Sequence, residues 1–189
     1  MDEPVARYFD RQFQLEAAKL LPGQYHAAAA DVVIITVLGS CVSACLWDPA
    51  GRIGGMNHFM LPGAGDSARL GVYAMEVVMN QMLKLGAEKK RLVAKVFGGA
   101  SVLEGMEALN IGNQNGSFVL DFLREEEIPV LAQDLYDVCP RKVHFFPRTG
   151  KVLVKRLGGA RSDAIEPRER DYLQRLQPHG GEIEIFGRV

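Results

Sequence analysis

The chain has 189 residues, 48% of them hydrophobic and 24% charged, a size and balance that suit one compact domain and exclude a disordered or low-complexity polymer. With 22 basic and 23 acidic residues the formal charge is −1, so no net field draws it to nucleic acid or anionic lipid. Three cysteines form an odd, sparse set that does not suit a secreted disulfide framework, the charged N-terminus is unlike a signal peptide and the apolar runs are too short to cross a bilayer, which predicts a cytoplasmic protein with reduced thiols.

VARYFDRQFQLEAAKL, residues 5–20, mixes charged and apolar positions at helical spacing and stops at Pro22-Gly23, which predicts an added N-terminal helix. DVVIITVL follows from Asp31 to Leu38, a β-branched run that reads as a strand buried on both faces, ended by Gly39. Two apolar segments, Cys41 to Trp47 and Arg52 to Leu61, flank Asp48-Pro49-Ala50-Gly51, a sequence suited to a type I turn and hence to a β-hairpin. Pairing Asp48 with Gly51 and counting outward sets Cys41 opposite His58, with Cβ atoms about 5 Å apart. A slip of one residue would move one of them to the other face, and Gly51 and Gly54-Gly55 are candidate bulges.

Asp66 or Ser67 can cap a helix running to about Leu85, with Leu70, Ala74, Val77, Val78, Gln81, Met82 and Leu85 on one stripe and Gly86 as its stop. Arg91 to Phe97 reads as a strand, Gly98-Gly99 as a turn, Gln114 to Glu126 as a helix and IPVLAQDL as a further strand. KVHFF and KVLVKRL form a second hairpin around Pro147 to Gly150. Beyond Gly159 the chain becomes a charged tail with one short helical pattern. Interleaved strands and helices with two hairpins predict an α/β fold that is not purely parallel.

Among the groups able to do chemistry, most cysteines are buried filler, but Cys41 follows Leu-Gly-Ser where a buried strand ends. There a turn can leave backbone N–H groups free to bind an oxyanion, and Gly39 permits the close approach this needs. Cys45 and Cys139 lack such a setting. His26, His144 and His179 read as edge, core or terminal residues, whereas His58 facing Cys41 could act as its base. Thr36, a good strand former, could also orient that histidine through its hydroxyl or carbonyl. A zinc site is disfavoured because no second ligand pair completes Cys41 and Cys45. Gly54-Gly55 and Gly98-Gly99 match no phosphate loop or dinucleotide fingerprint. Residue chemistry alone leaves a Cys-His amidase, protease or esterase and a non-catalytic adaptor open.

At TVLGSCVSACLWDP followed by GGMNHFMLP the sequence resembles the chemoreceptor glutamine deamidase CheD family, with PGQY, AKVFGGA, NIGNQN and TGKVLVKRL in support. The resemblance covers about residues 20–158. It implies a single-domain α/β sandwich of mixed, largely antiparallel sheet with flanking helices, similar to deamidating toxins. It also implies a hydrolase converting receptor glutamines to glutamate without metal or organic cofactor. Cys41 would be the nucleophile, His58 the base and Thr36 the orienting residue; beside that resemblance, the turn chemistry itself predicts that backbone N–H groups near Ser40 and Cys41, with Gly39 in support, bind the oxyanion. The expected partners are cytoplasmic helices of a methyl-accepting chemoreceptor and a phosphatase of the CheC type; a receptor methylesterase and an adaptor are the alternatives. On this reading residues 1–18 are a helical extension, 19–160 the catalytic domain and 161–189 a tail. LYDVCPRKV departs from the glycine-rich stretch expected before the second hairpin.

Overall fold

The computed structural model describes residues 4–61, 67–102, 110–158 and 164–176. The first strands are β1 (Ala6–Asp10), β2 (Leu15–Lys19), β3 (Tyr25–Ala28), β4 (Val32–Leu38), β5 (Val42–Asp48) and β6 (Ile53–Asn57). They are followed by α1 (Ser67–Lys84), β7 (Val93–Gly98), α2 (Ile111–Glu125), β8 (Val130–Leu135), β9 (Arg141–Phe146), β10 (Lys151–Arg156) and α3 (Glu166–Leu176). One sheet has the order β1-β2-β4-β9-β10 and the other β3-β6-β5-β7-β8. Among the described residues only β2–β4 and β7–β8 pair in parallel, so each sheet is mixed and largely antiparallel.

The layers follow from the alternation of side chains along the strands. Ile34 and Leu38 of β4 and Val143 and Phe145 of β9 meet Cys41, Cys45, Met56 and Phe97 from the other sheet in a core between the sheets. On the far side of the second sheet, Val42, Ala44, Leu46 and Val96 pack under Met75, Val78 and Met82 of α1 and Val119 and Leu123 of α2. The outer face of the first sheet holds a small cluster of Ala17, Val33 and Ile35 with Phe13 and Phe146 against it. Gly54 and Gly55 pair regularly with Trp47 and Leu46, so they are not bulges. A Cβ at Gly54 would meet Phe145 and Pro147 at 2.7 Å, and one at Gly55 would meet Val78 at 2.7 Å; they are small because both neighbouring layers press on this strand.

The segment expected to be an N-terminal helix is a hairpin. β1 pairs antiparallel with β2, and the Asp10 carboxylate accepts from the N–H groups of Gln12 and Phe13 while Gln14 takes a φ of 54°. LEAAK consists of good helix formers, but Ala17 and Ala18 fit either period; pairing with β4 completes the sheet and overrides the local preference.

Where α1 was expected the structure has it, and Gly86 ends it with a φ of 102°. Its buried stripe is Gly71, Met75, Val78, Met79 and Met82, while Leu70 and Leu85, expected inside, are 40% and 44% exposed. Gly71 sets this rotation, since a Cβ there would lie 2.5 Å from the Phe118 ring of α2. Asp66 and the side chain of Ser67, the expected caps, lie outside the described residues. In the LYDVCPRKV departure, Tyr136 and Asp137 carry φ of 68° and 72°, the region in which glycine is at ease. The buried Arg141 holds this turn by donating to the carbonyls of Tyr136, Cys139 and Gly98.

Candidate active site

The β5–β6 hairpin runs two residues longer than the turn chemistry suggested. Asp48 faces Ile53 and Cys45 faces Met56, with Val42 bridged to Phe59 beyond the strands. The Asp48 carboxylate accepts from the N–H of Gly51 and Glu88 and from Arg91, contacts that hold its pKa well below the usual carboxylate range, and Arg52 turns the chain with a φ of 53°. In this register His58 lies across from position 43 rather than 41. Because side chains alternate with period two, a shift of two keeps Cys41 and His58 on one face as diagonal neighbours.

Three consecutive residues, Gly39, Ser40 and Cys41, link β4 to β5, crossing from one sheet to the other. Each of their carbonyls is tied to a neighbouring segment. Gly39 O accepts from Ala100 N at 2.8 Å, Cys41 O from Gly99 N at 2.8 Å, and Ser40 O from Asn115 Nδ2 at 2.8 Å. Asn115 belongs to NIGNQN and also accepts from Leu61 N at 2.7 Å. With the carbonyls anchored, the three N–H groups gather on one side of the turn, those of Gly39 and Cys41 aimed at one oxygen position and that of Ser40 at another beside it, an arrangement able to hold a negative oxygen.

His58 follows β6 and is fixed on all sides. Its N–H donates to Gln24 O at 2.9 Å and its carbonyl accepts from Gly23 N at 2.7 Å, which gives PGQY its role. Thr36 reaches across from β4 of the opposite sheet, donating its hydroxyl to Leu20 O at 2.9 Å and meeting His58 Nδ1 at 2.7 Å. Since that hydroxyl proton is committed to Leu20, Nδ1 must carry the hydrogen and Nε2 the lone pair. Nε2 is buried and has no hydrogen-bond partner among the described residues. Cys41 Sγ, a ring nitrogen of His58 and a carboxylate oxygen of Glu169 lie within 4.8 Å of one another.

Glu169 is the residue the sequence did not reveal. It comes from α3, and its carboxylate accepts from the N–H groups of Gly39 at 2.9 Å, Ser40 at 2.7 Å and Cys41 at 3.2 Å and from the Ser40 hydroxyl at 2.7 Å. Only an acidic residue in the helical pattern of the tail hinted at it. Its oxygens are thus satisfied by four protein donors, as expected of an anion in an N–H cradle rather than of a metal ligand. Of the other histidines, His26 is on β3 and His144 on β9 stacks edge-on against Phe13 at 5.2 Å, while His179 lies outside the described residues.

Burial shapes the electrostatics. The Cys41 thiol is pushed well above its usual pKa by desolvation, then by the charge and hydrogen bond of Glu169. Desolvation takes His58 down to about 3. Both are therefore neutral at pH 7 in this closed arrangement. The unfolded chain binds a proton at His58 below about 6.5 while the folded chain refuses it until about 3, so stability is lost as pH falls through that window, with a slope of up to about 1.4 kcal/mol per pH unit. His58→Gln should flatten the slope by roughly one proton when unfolding free energy is measured with urea across the window. His26 and His144, also lowered by burial, act in the same direction in both proteins. An identical slope in the variant would show that His58 is not buried neutral.

Residues 60–156 match the family model described as CheD chemotactic sensory transduction. A Dechloromonas aromatica protein named probable chemoreceptor glutamine deamidase CheD 1 is 54% identical, over 98% of this chain and 97% of its own. Proteins of the same description from Methylobacillus flagellatus and Shewanella oneidensis are 52% and 50% identical, covering 95% and 99% of this chain and 94% and 95% of theirs.

Proposed function

This chain belongs to the CheD family, and from that premise we propose that it is a chemoreceptor glutamine deamidase, an enzyme that hydrolyses protein glutamine to glutamate with Cys41 as nucleophile. The observation that carries this reading is the cluster of the Cys41 thiol with a ring nitrogen of His58 within 4.8 Å, Thr36 holding the ring at Nδ1 and leaving Nε2 as its partnerless nitrogen, next to the N–H groups of Gly39, Ser40 and Cys41. His58 takes the Cys41 proton as sulfur attacks the carboxamide carbon. The oxyanion settles against the N–H groups of Gly39, Ser40 and Cys41. Protonated His58 then delivers its proton to the leaving nitrogen, ammonia departs, and water activated by the same ring releases glutamate from the thioester. The substrate is a glutamine on the cytoplasmic helices of a methyl-accepting receptor, which places the reaction in the cytoplasm; a CheC-type phosphatase is the proposed regulatory partner. Among the described residues no helix is long and apolar enough to cross a membrane.

The test is to incubate the chain with a receptor cytoplasmic fragment and map each peptide by mass. Conversion of selected glutamines to glutamate is expected. Loss of methyl groups instead would make it an esterase, and an unchanged fragment would favour the adaptor reading, which the full burial of Cys41 supports.

Thr36→Val should lower turnover roughly 10²-fold while leaving KM nearly constant, because the ring loses its tautomer control and not its contact with substrate. Nitrogen NMR of His58 should show the proton shared between both ring nitrogens. A variant with normal turnover would remove Thr36 from the site.

A further inference from the structure

Nothing in the reaction above requires a carboxylate in the oxyanion cradle, yet one fills it. Glu169 is 2% exposed and takes every N–H that the reaction needs. Its chemistry is that of the product, a glutamate side chain whose acid oxygens lie where a glutamine amide would bind. The surrounding contacts are those of a helix lying on a seat. Leu173, one turn after Glu169, is fully buried in the core between the sheets, with Tyr172 and Leu176 packed at its edge. Ile165, one turn before, is also buried. The Tyr172 ring covers Gly23, where a Cβ would stand 2.8 Å from its hydroxyl. Beside this face a cavity of about 160 Å³ continues along His58, Phe59, Tyr73 and Val77.

We infer that α3 is a built-in product mimic: Glu169 occupies the glutamine subsite, and the surface beneath α3 is the docking seat for a substrate helix that must displace it. This rests on the deamidase reading and adds to it the form of the substrate, a helix with glutamine at one position and apolar residues three, four and seven positions later. The same contact explains why the thiol is sealed. While α3 is seated, the Glu169 charge opposes formation of the thiolate and its carboxylate blocks the carbon that sulfur would attack. Displacement is feasible because an eleven-residue helix is marginal on its own and is held by these few contacts.

Glu169→Gln in the full-length chain presents a carboxamide to the same cradle, its oxygen at the N–H groups of Gly39 and Cys41 and its NH2 turned to the Ser40 hydroxyl oxygen, and turns the mimic into a substrate. Sulfur of Cys41 adds to the carboxamide carbon introduced at position 169, ammonia leaves with the proton from His58, and water cleaves the thioester, so the chain should restore its own glutamate. Peptide mass mapping reads this directly, and the Cys41→Ala, Glu169→Gln double variant should retain glutamine. If the introduced glutamine persists while wild type converts receptor glutamines, the inference is overturned and the deamidase reading stands. If neither the introduced glutamine nor those of the receptor are converted, the deamidase reading falls and takes this one with it. Equal conversion in the double variant would mean spontaneous hydrolysis and also overturn it. Independently, Leu173→Asp should unseat α3 and raise the rate of Cys41 alkylation by iodoacetamide about tenfold or more, with circular dichroism reporting an intact fold. An unchanged rate in the folded variant would show that α3 does not guard the thiol.

Discussion

Cys41→Ala should abolish receptor deamidation, a fall on the order of 10⁴- to 10⁶-fold, with His58→Gln losing nearly as much and the double variant little more. The non-additivity follows from the chemistry. Without sulfur no thioester can form, and without the ring nitrogen no base carries the thiol proton to the leaving amide nitrogen. Burial sharpens the effect: the thiol pKa lies well above its usual value, so too little thiolate forms spontaneously to replace the base. The N–H cradle survives in both variants, because its geometry is set by the anchors of the Gly39, Ser40 and Cys41 carbonyls and not by either side chain. Residual activity in each variant should therefore be the same small background. Ammonia release and peptide mapping measure the loss, with Cys139→Ser, outside the cluster, expected to stay within a few-fold of wild type. A Cys41→Ala enzyme that turned over normally would remove sulfur from the mechanism.

The second large effect concerns a residue with no side chain at all. Gly98 ends β7 with a φ of 112°, and a Cβ there would stand 2.2 Å from Cys41 O and 3.0 Å from Val42 Cα, both backbone atoms. Gly98→Ala combines left-handed backbone strain with a collision that no rotamer can relieve, and should destabilise the fold by about 3 kcal/mol or more. For a chain of this length that corresponds to a fall in Tm of roughly 6 to 12 °C. The strand end it would push supplies the Cys41 carbonyl, whose bond to Gly99 N helps aim the cradle, so activity should fall beyond what unfolding explains. Gly158→Ala, with nothing within 4 Å, is the matched control and should be close to neutral. Equal melting temperatures for the two variants would contradict the contact.

Element types were legible wherever local chemistry is strong. The β-branched run of β4, the stop of α1 at Gly86 and the hairpin around Pro147 to Gly150 are each written in a few adjacent residues. Element faces were less legible. The stripe of α1 is rotated because Gly71 admits the Phe118 ring, a fact about two helices rather than one. β1 and β2 escaped notice because LEAAK prefers a helix and becomes strand only when β4 offers its edge.

The amino-acid order by itself singled out Cys41 and His58 as partners across a hairpin and marked Gly39-Ser40-Cys41 as a strand-ending turn; their shared face depended on the register, which the structure sets two residues from the count and so leaves the alternation intact. Tertiary structure alone decided the rest. Thr36 meets His58 only because two sheets stack, Asn115 steadies Ser40 from a helix on the far layer, and Glu169 enters the cradle from more than a hundred residues downstream. Periodicity and turn chemistry report on neighbours in the chain; a hydrogen bond across the core depends on how whole layers settle against each other, which no short stretch of residues encodes.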